Sequence, residues 1–518
     1  LLLALTIAVL AVLGGLGLGL APAVSRRALG PLRTLALSSV LAVVALHLLP
    51  EALASLGVWA LLAFATGLAA PRWLTLLGLG HRHHAERDHL GFSLGYWSLL
   101  VHHVGDGLAL GAYSRADAGH DHAHTDVLLA LVLHTVPFVA VVAAGYLRLY
   151  GARSAIVRCA GLGLASVVGV LGARLVPPPI VDSAQAWIAA GVSGLLLHGL
   201  SHDLARDLPT RTATRVVDCF MAVIGLAVGT LGATLDVHEG QGLQPELVLR
   251  LLTTALERLA LPLAAGLLIG ALVTASKWRS SLRWANSIEP GQGGVTTPEA
   301  YLTTLGTFGL WWALLRDGLS YVIRDIPEPQ TAPTPIAEDP SPGFVRKLLA
   351  RLDERVDALG AWALIGALMA TVIRAALPIG ALQGNLWLSL ALTLVFCASV
   401  PLHAVAAIQV AAALFERGLS PSAAAFVAVL APFAARTKSR NEWLRLGVVA
   451  VLLGFVVPHV PLEPLPTNTQ VAWTAGALLV ALMARRIYLL GFRGFLLALV
   501  RSEHAFLPPP APRDKLTD

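Results

Sequence analysis

Charge is scarce in this chain. Asp, Glu, Lys and Arg make up only 13% of its 518 residues, hydrophobic residues make up 56%, and the mean hydropathy is +0.72. A soluble protein of this length would carry more surface charge than that, which excludes the ordinary globular class. Cysteine is scarcer still: Cys159, Cys219 and Cys397 are scattered and form no CxxC, so neither a disulfide framework nor a cysteine zinc site is supported. The sequence has no GxxxxGK[ST] loop, which leaves ATP coupling through a P-loop without support, and no HExxH, which removes the commonest zinc-protease pattern. The net charge of +6 comes from arginines in loops and at helix ends, a pattern that carries orientation rather than a nucleic-acid surface.

What the chain has instead is a series of apolar stretches of roughly 20 residues, the length that crosses a bilayer as a helix. The expected fold class is therefore all-α, a polytopic helical membrane protein. Eight spans are expected in the first half, at about 1–22, 34–54, 57–79, 92–113, 127–147, 155–176, 184–204 and 216–235. The opening Leu1–Leu20 lacks a basic front and reads as a span rather than a cleaved signal. Arg26, Arg27 and Arg33 follow the first span; Arg72, Arg82 and Arg87 the third. Arg148, Arg153 and Arg158 surround the fifth connection, and Arg206, Arg211 and Arg215 the seventh, against only Arg115 and Arg174 on the other side. The positive-inside rule then places both ends of this half outside and those four loops in the cytoplasm.

Histidine is concentrated in the same half: of seventeen, only His403, His459 and His504 lie beyond residue 240. His81, His83, His84 and His89 form a cytoplasmic loop cluster. His120, His122 and His124 form an external one, mixed with Asp117, Asp121 and Asp126. Such tracts bind transition metals weakly or are inert solvated loops. Within the spans, His102 and Asp106 are four apart and His103 and Asp106 three apart, so each pair meets on a helix face. That is half of a divalent-metal site; the same pattern also fits a polar helix–helix contact. His47 and Glu51 close the second span, His134 lies one turn before Pro137 in the fifth, and His198, His202 and Asp203 end the seventh. At about 1.5 Å per residue, the threading puts His47 and Glu51 in the outer part, His102, Asp106 and His134 near the middle, and His198, His202 and Asp203 on the inner side. The groups form a ladder, and ionisable residues in hydrocarbon are functional candidates by default.

Four stretches resemble the ZIP family of divalent-metal transporters: His47-Leu-Leu-Pro50-Glu51, His102-His103-x-x-Asp106-Gly107, His134-x-x-Pro137, and the His-rich loop between spans three and four. The resemblance covers about residues 1–236. It implies an eight-helix transporter with both ends outside and a central metal site from the fourth and fifth spans. The chain departs from the pattern at Thr135 and Phe138, where the family carries acids, at His103, where it carries Asn, and along Leu164–Gly169, where a sixth-span acid is absent. These departures imply one metal centre instead of two, made by His102, Asp106 and His134 with His103. Nitrogen-rich ligation favours Zn²⁺, with Fe²⁺ or Mn²⁺ as alternatives, over magnesium or calcium.

The second half is expected to hold about five to seven further segments. After an external turn at His238–Pro245 comes a span at about 247–273. Ala300–Ile323, with Trp311, Trp312, Arg316 and Asp317, reads equally as an interfacial or re-entrant helix and as a crossing. Asp325–Pro342 is a proline-rich linker, and Phe344–Asp357 a charged amphipathic helix expected on the membrane surface. Apolar segments follow at about 359–379, 385–416, 420–435, 446–461 and 469–484, then a proline-rich tail. The boundaries expected are 1–240, 241–343, 344–507 and 508–518. Cys397-Ala-Ser-Val-Pro401 followed by Arg417-Gly-Leu-Ser-Pro421 resembles one repeat of a bacterial family of predicted permeases, which implies small-residue packing around a polar break.

The leading expectation is transport of a divalent metal toward the cytoplasm by a non-enzymatic protein of the cell membrane, a bacterial inner membrane, with the lipid bilayer and the metal ion as partners and a homodimer as one assembly. The rivals are a non-transporting sensor or permease subunit, and an intramembrane zinc hydrolase using the histidines with Ser201 nearby.

Overall fold

The computed structural model describes residues 2–21, 29–76, 96–111, 125–175, 177–204, 208–235, 245–275, 297–323, 343–434 and 440–504, with short gaps inside these ranges; at 71–76, 125–134 and 199–204, among others, it describes the backbone alone. Every regular element among the described residues is a helix. Six are long and apolar enough to cross a membrane: Leu29–Leu56, Ala152–Leu175, Thr212–Thr230, Glu246–Ala275, Phe344–Ala376 and Thr469–Leu490. The chain is an all-α, multi-pass membrane protein.

The first half forms eight rods among the described residues. They are α1 (Leu2–Leu20), then α2 (Leu29–Val43) running through a π-helical turn (Val44–Leu48) into α3 (Leu49–Leu56), then α4 (Val58–Leu76) and α5 (residues 99–108). α6 (Thr125–Tyr150), α7 (Ala152–Leu175), α8 (Pro178–Leu204) and α9 (Thr212–Leu235) follow. Small residues let these rods approach backbone to backbone, the packing expected where lipid supplies no hydrophobic drive between helices. A Cβ on Gly107 of α5 would run into Ser166 and Gly169 of α7, and one on Gly111, a turn further on, into Val170 and Ala173. Gly15 and Gly19 of α1 press in order on Val136 to Ala143 of α6, and Gly225 and Gly229 of α9 on Leu35 to Val43 of the second rod. In all three pairs the residue numbers rise together, so the helices are parallel. Each pair is separated by an even number of crossings, as a chain threading back and forth requires.

The second half contains α10 (Pro245–Ala275), α11 (Pro298–Phe308), α12 (Leu310–Ile323), α13 (Phe344–Ala376), α14 (Leu386–Ser399), α15 (Ala404–Glu416), α16 (Pro421–Ala434), α17 (Arg440–Val456), α18 (Thr469–Leu490) and α19 (Phe492–His504). Two expectations need correction. Phe344–Asp357 is not a separate surface helix but the first part of the continuous α13, with Arg355 and Val356 each 1% exposed. Its charges point at partners: Arg485 pairs with Asp353, and Arg486 with Asp353 and Asp357. The stretch 385–416 is not one segment; it breaks between Ser399 and Ala404, where the His403 ring accepts from Val405 N–H and caps α15. The Ala300–Ile323 stretch likewise breaks at Gly309 (φ 100°), leaving α11 and α12. At about 1.5 Å per residue, α11, α12, α14, α15 and α16 are each too short to cross a ~30 Å hydrocarbon core alone.

The halves pack together. The π-turn and α3 touch α13, α4 touches α14, and α9 touches α18 and α19. One polar knot ties them: Asp218 of α9 accepts from the backbone N–H and Nε of Arg493 on α19, both at 3.1 Å, and from Thr34 of α2, all three residues buried.

Candidate metal site

The site is built from α5 outward. His102 and Asp106 lie one turn apart, and the helix brings His102 Nε2 within 3.4 Å of Asp106 Oδ2 with both side chains largely enclosed. His103, adjacent and facing a different direction, is 3% exposed and places Nδ1 3.0 Å from Ser166 Oγ on α7. Ser166 also reaches the Leu162 carbonyl at 3.4 Å. In the tautomer that satisfies both bonds, Nδ1–H donates to Ser166 Oγ and Nε2 keeps its lone pair, the arrangement that orients a metal-binding imidazole. The Gly107–Gly169 contact brings α7 close enough for this bond to form.

Tyr96, three residues before α5, is held by aromatics. The Tyr96 ring packs edge-on against Tyr146 of α6 at 5.9 Å, and the Arg158 guanidinium lies over both rings. This contact sets the register of α5 against α6. Counting from it along the helices, Asp106 stands about 15 Å and the His134 backbone about 18 Å away. The His134 side chain lies outside the described residues, and so do those of His202 and Asp203. Among the described residues no group of three or more His, Cys, Asp or Glu is assembled for a metal ion.

His47 sits in the π-turn. Pro50 has no N–H to give to the Leu46 carbonyl, and the helix widens just before it, with Leu49 N–H reaching back to Val44 O. His47 Nε2 then lies 3.9 Å from Glu51 Oε2, both half-exposed, near the end of the second rod. His198 lies on α8 and is half-buried. The histidine clusters at 81–89 and 120–124 lie outside the described residues. Thr135 and Phe138, which stand where acids were looked for, are both buried.

The structure thus pairs His102 with Asp106 and His47 with Glu51, and leaves these pairs on separate rods. The Ser166 contact to His103 could not be read from the sequence: a lone serine in an apolar helix gives no signal until α5 is packed beside it. The chain matches no protein-family model, no curated protein and no solved structure.

Proposed function

We propose that the first half passes a divalent transition-metal ion, zinc before Fe²⁺ or Mn²⁺, toward the cytoplasm, as the ZIP-like motifs imply. The observation that carries this reading is the enclosed His102–Asp106 pair at 3.4 Å with His103 oriented by Ser166 beside it. Two imidazoles and a carboxylate at one level of a membrane protein are a costly arrangement. They supply nitrogen and oxygen ligands suited to a borderline cation. The cation is the cargo: Glu51 and His47 receive it, His102, Asp106 and His134 hold it at mid-depth, and His198, His202 and Asp203 release it. The arginine distribution supports an outside N-terminus in a bacterial inner membrane.

The test is zinc entry into vesicles reconstituted with the full chain and loaded with a zinc-sensitive dye. Entry in wild type that disappears in His102→Ala and in Asp106→Ala supports the reading; wild-type vesicles that bind zinc without admitting it sink it. That second outcome would favour a sensor or a permease subunit. A specific contact speaks for this alternative, since the His47 turn packs directly on α13 of the second half.

A further inference from the structure

The second half buries a group that the metal reading does not use. Arg316 lies in the middle of α12 and is 1% exposed. Its Nη1 reaches Asp317 at 3.4 Å, and Asp317 is itself partly exposed. Its Nε and Nη2 are buried and have no hydrogen-bond partner among the described residues. One turn earlier on the same face, Trp312 is 3% exposed, and its indole N–H is also buried without a partner among the described residues. The Trp312 ring is fixed by stacking on Phe308, 4.8 Å between centroids.

The identity of the idle nitrogens matters. Nε–H and one Nη2–H point the same way from the guanidinium plane and form its side-on fork, the edge that grips two oxygens of a carboxylate or phosphate at once. The weak contact to Asp317 uses the other nitrogen and leaves the fork open. Trp312 adds a third donor from the same face. Every one of these groups is a donor that cannot accept, so the missing partner is an acceptor with several lone pairs. Among the described side chains of the helices that touch α12, none is a free acid: α16 contains no acidic residue and Glu299 of α11 is paired with Arg355, while Glu442 of α17 has its side chain outside the described residues. Leaving a buried guanidinium so poorly paired costs several kcal/mol, a cost that a bound oxyanion would remove.

We propose that the Trp312–Arg316 face of α12 binds an oxyanion presenting two oxygens to the arginine fork, carried either by a small solute or by an anionic lipid headgroup. The bound group accepts from Nε, Nη2 and Trp312 Nε1. It gives the second half a ligand of opposite charge to the cation of the first, and it does not depend on the metal reading.

The experiment follows thermal unfolding of the purified full chain in two settings. In detergent, sodium phosphate or sodium acetate is compared with sodium chloride at matched ionic strength. In nanodiscs, phosphatidylcholine alone is compared with phosphatidylcholine containing phosphatidylglycerol. Wild type should gain several degrees in at least one setting: a gain with phosphate or acetate identifies a solute site, and a gain confined to phosphatidylglycerol identifies a lipid site. Trp312→Phe keeps the ring and removes one donor; Arg316→Lys keeps the charge and removes the fork. Each should lose more than half of the gain, whereas general salt stabilisation by phosphate would persist in both. If Arg316→Lys does not fold, Trp312→Phe still decides. No gain with any probe, or a gain equal in wild type and Trp312→Phe, overturns the proposal.

Discussion

The two halves of the molecule bury polar groups of opposite character. Among the described residues, the imidazole and charged side chains enclosed in the first half are, apart from Arg33, His102, His103, Asp106 and Asp218. The second half encloses mainly guanidinium groups among the described residues, Arg316, Arg355 and Arg493, of which Arg355 is paired with the equally buried Glu299 and Arg493 with Asp218; its buried imidazole, His403, caps α15. Neutral imidazoles and carboxylates are ligands for a cation. Guanidinium groups are donors that need an anion. Close glycine contacts occur in both halves, Gly107 against Ser166 in the first and Gly366 against Ala406 in the second, whereas ion pairs between distant helices join α11 to α13, α13 to α18 and α10 to α15 in the second. One chain therefore uses two solutions to the same problem, the cost of a polar group away from water.

The sharpest way to break this contrast is to remove the first half's ligands. His102→Ala or Asp106→Ala should abolish zinc entry while leaving the melting profile of the second half in place. Uptake in the wild type should also weaken as pH falls, because protons compete for imidazole and carboxylate ligands. Next in size, Glu299→Ala removes the buried carboxylate that pairs with the equally buried Arg355 and should cost about 3–5 kcal/mol, read from denaturant or thermal unfolding. A cost under about 1 kcal/mol would mean that the pair is hydrated and the contrast overstated.

Smaller effects refine the comparison. Ser166→Ala removes the partner of His103 without touching a ligand, and should lower zinc affinity or uptake by about tenfold or more with little change in stability. Unchanged uptake would assign His103 to packing alone. The smallest effect belongs to Arg485→Ala. That side chain is more than half exposed, so its pair with Asp353 should contribute no more than about 1 kcal/mol. The distance between this result and that of Glu299→Ala measures how much burial, rather than charge pairing, matters in the second half.

Much of the fold could be read in advance. The three helices of the first half that are long and apolar enough to cross, Leu29–Leu56, Ala152–Leu175 and Thr212–Thr230, lie where spans were expected, because a bilayer demands about 20 apolar residues and little else matches that pattern. His102 and Asp106 could be paired on paper, since a helix repeat joins residues four apart. The second half was harder. Asp353, Glu354, Arg355 and Asp357 look like a solvated face in sequence. The residues that neutralise three of them, Glu299, Arg485 and Arg486, lie far away along the chain. The stretch with Trp311, Trp312 and Arg316 read equally as an interfacial or re-entrant helix and as a crossing, and neither reading foretold that the arginine is enclosed. α19 escaped notice because Arg493, Arg501 and Glu503 interrupt its apolar face.

By itself the sequence determined that this is a helical membrane protein and which residues on one helix meet, because hydrophobic length and the 3.6-residue repeat are local properties. Only the tertiary structure decided that Ser166 holds His103, that Asp218 joins α2, α9 and α19, and that Arg316 is shut away from solvent. Those outcomes depend on which helices touch, and that depends on where small residues allow two backbones to meet, a property of pairs of segments that no single segment contains.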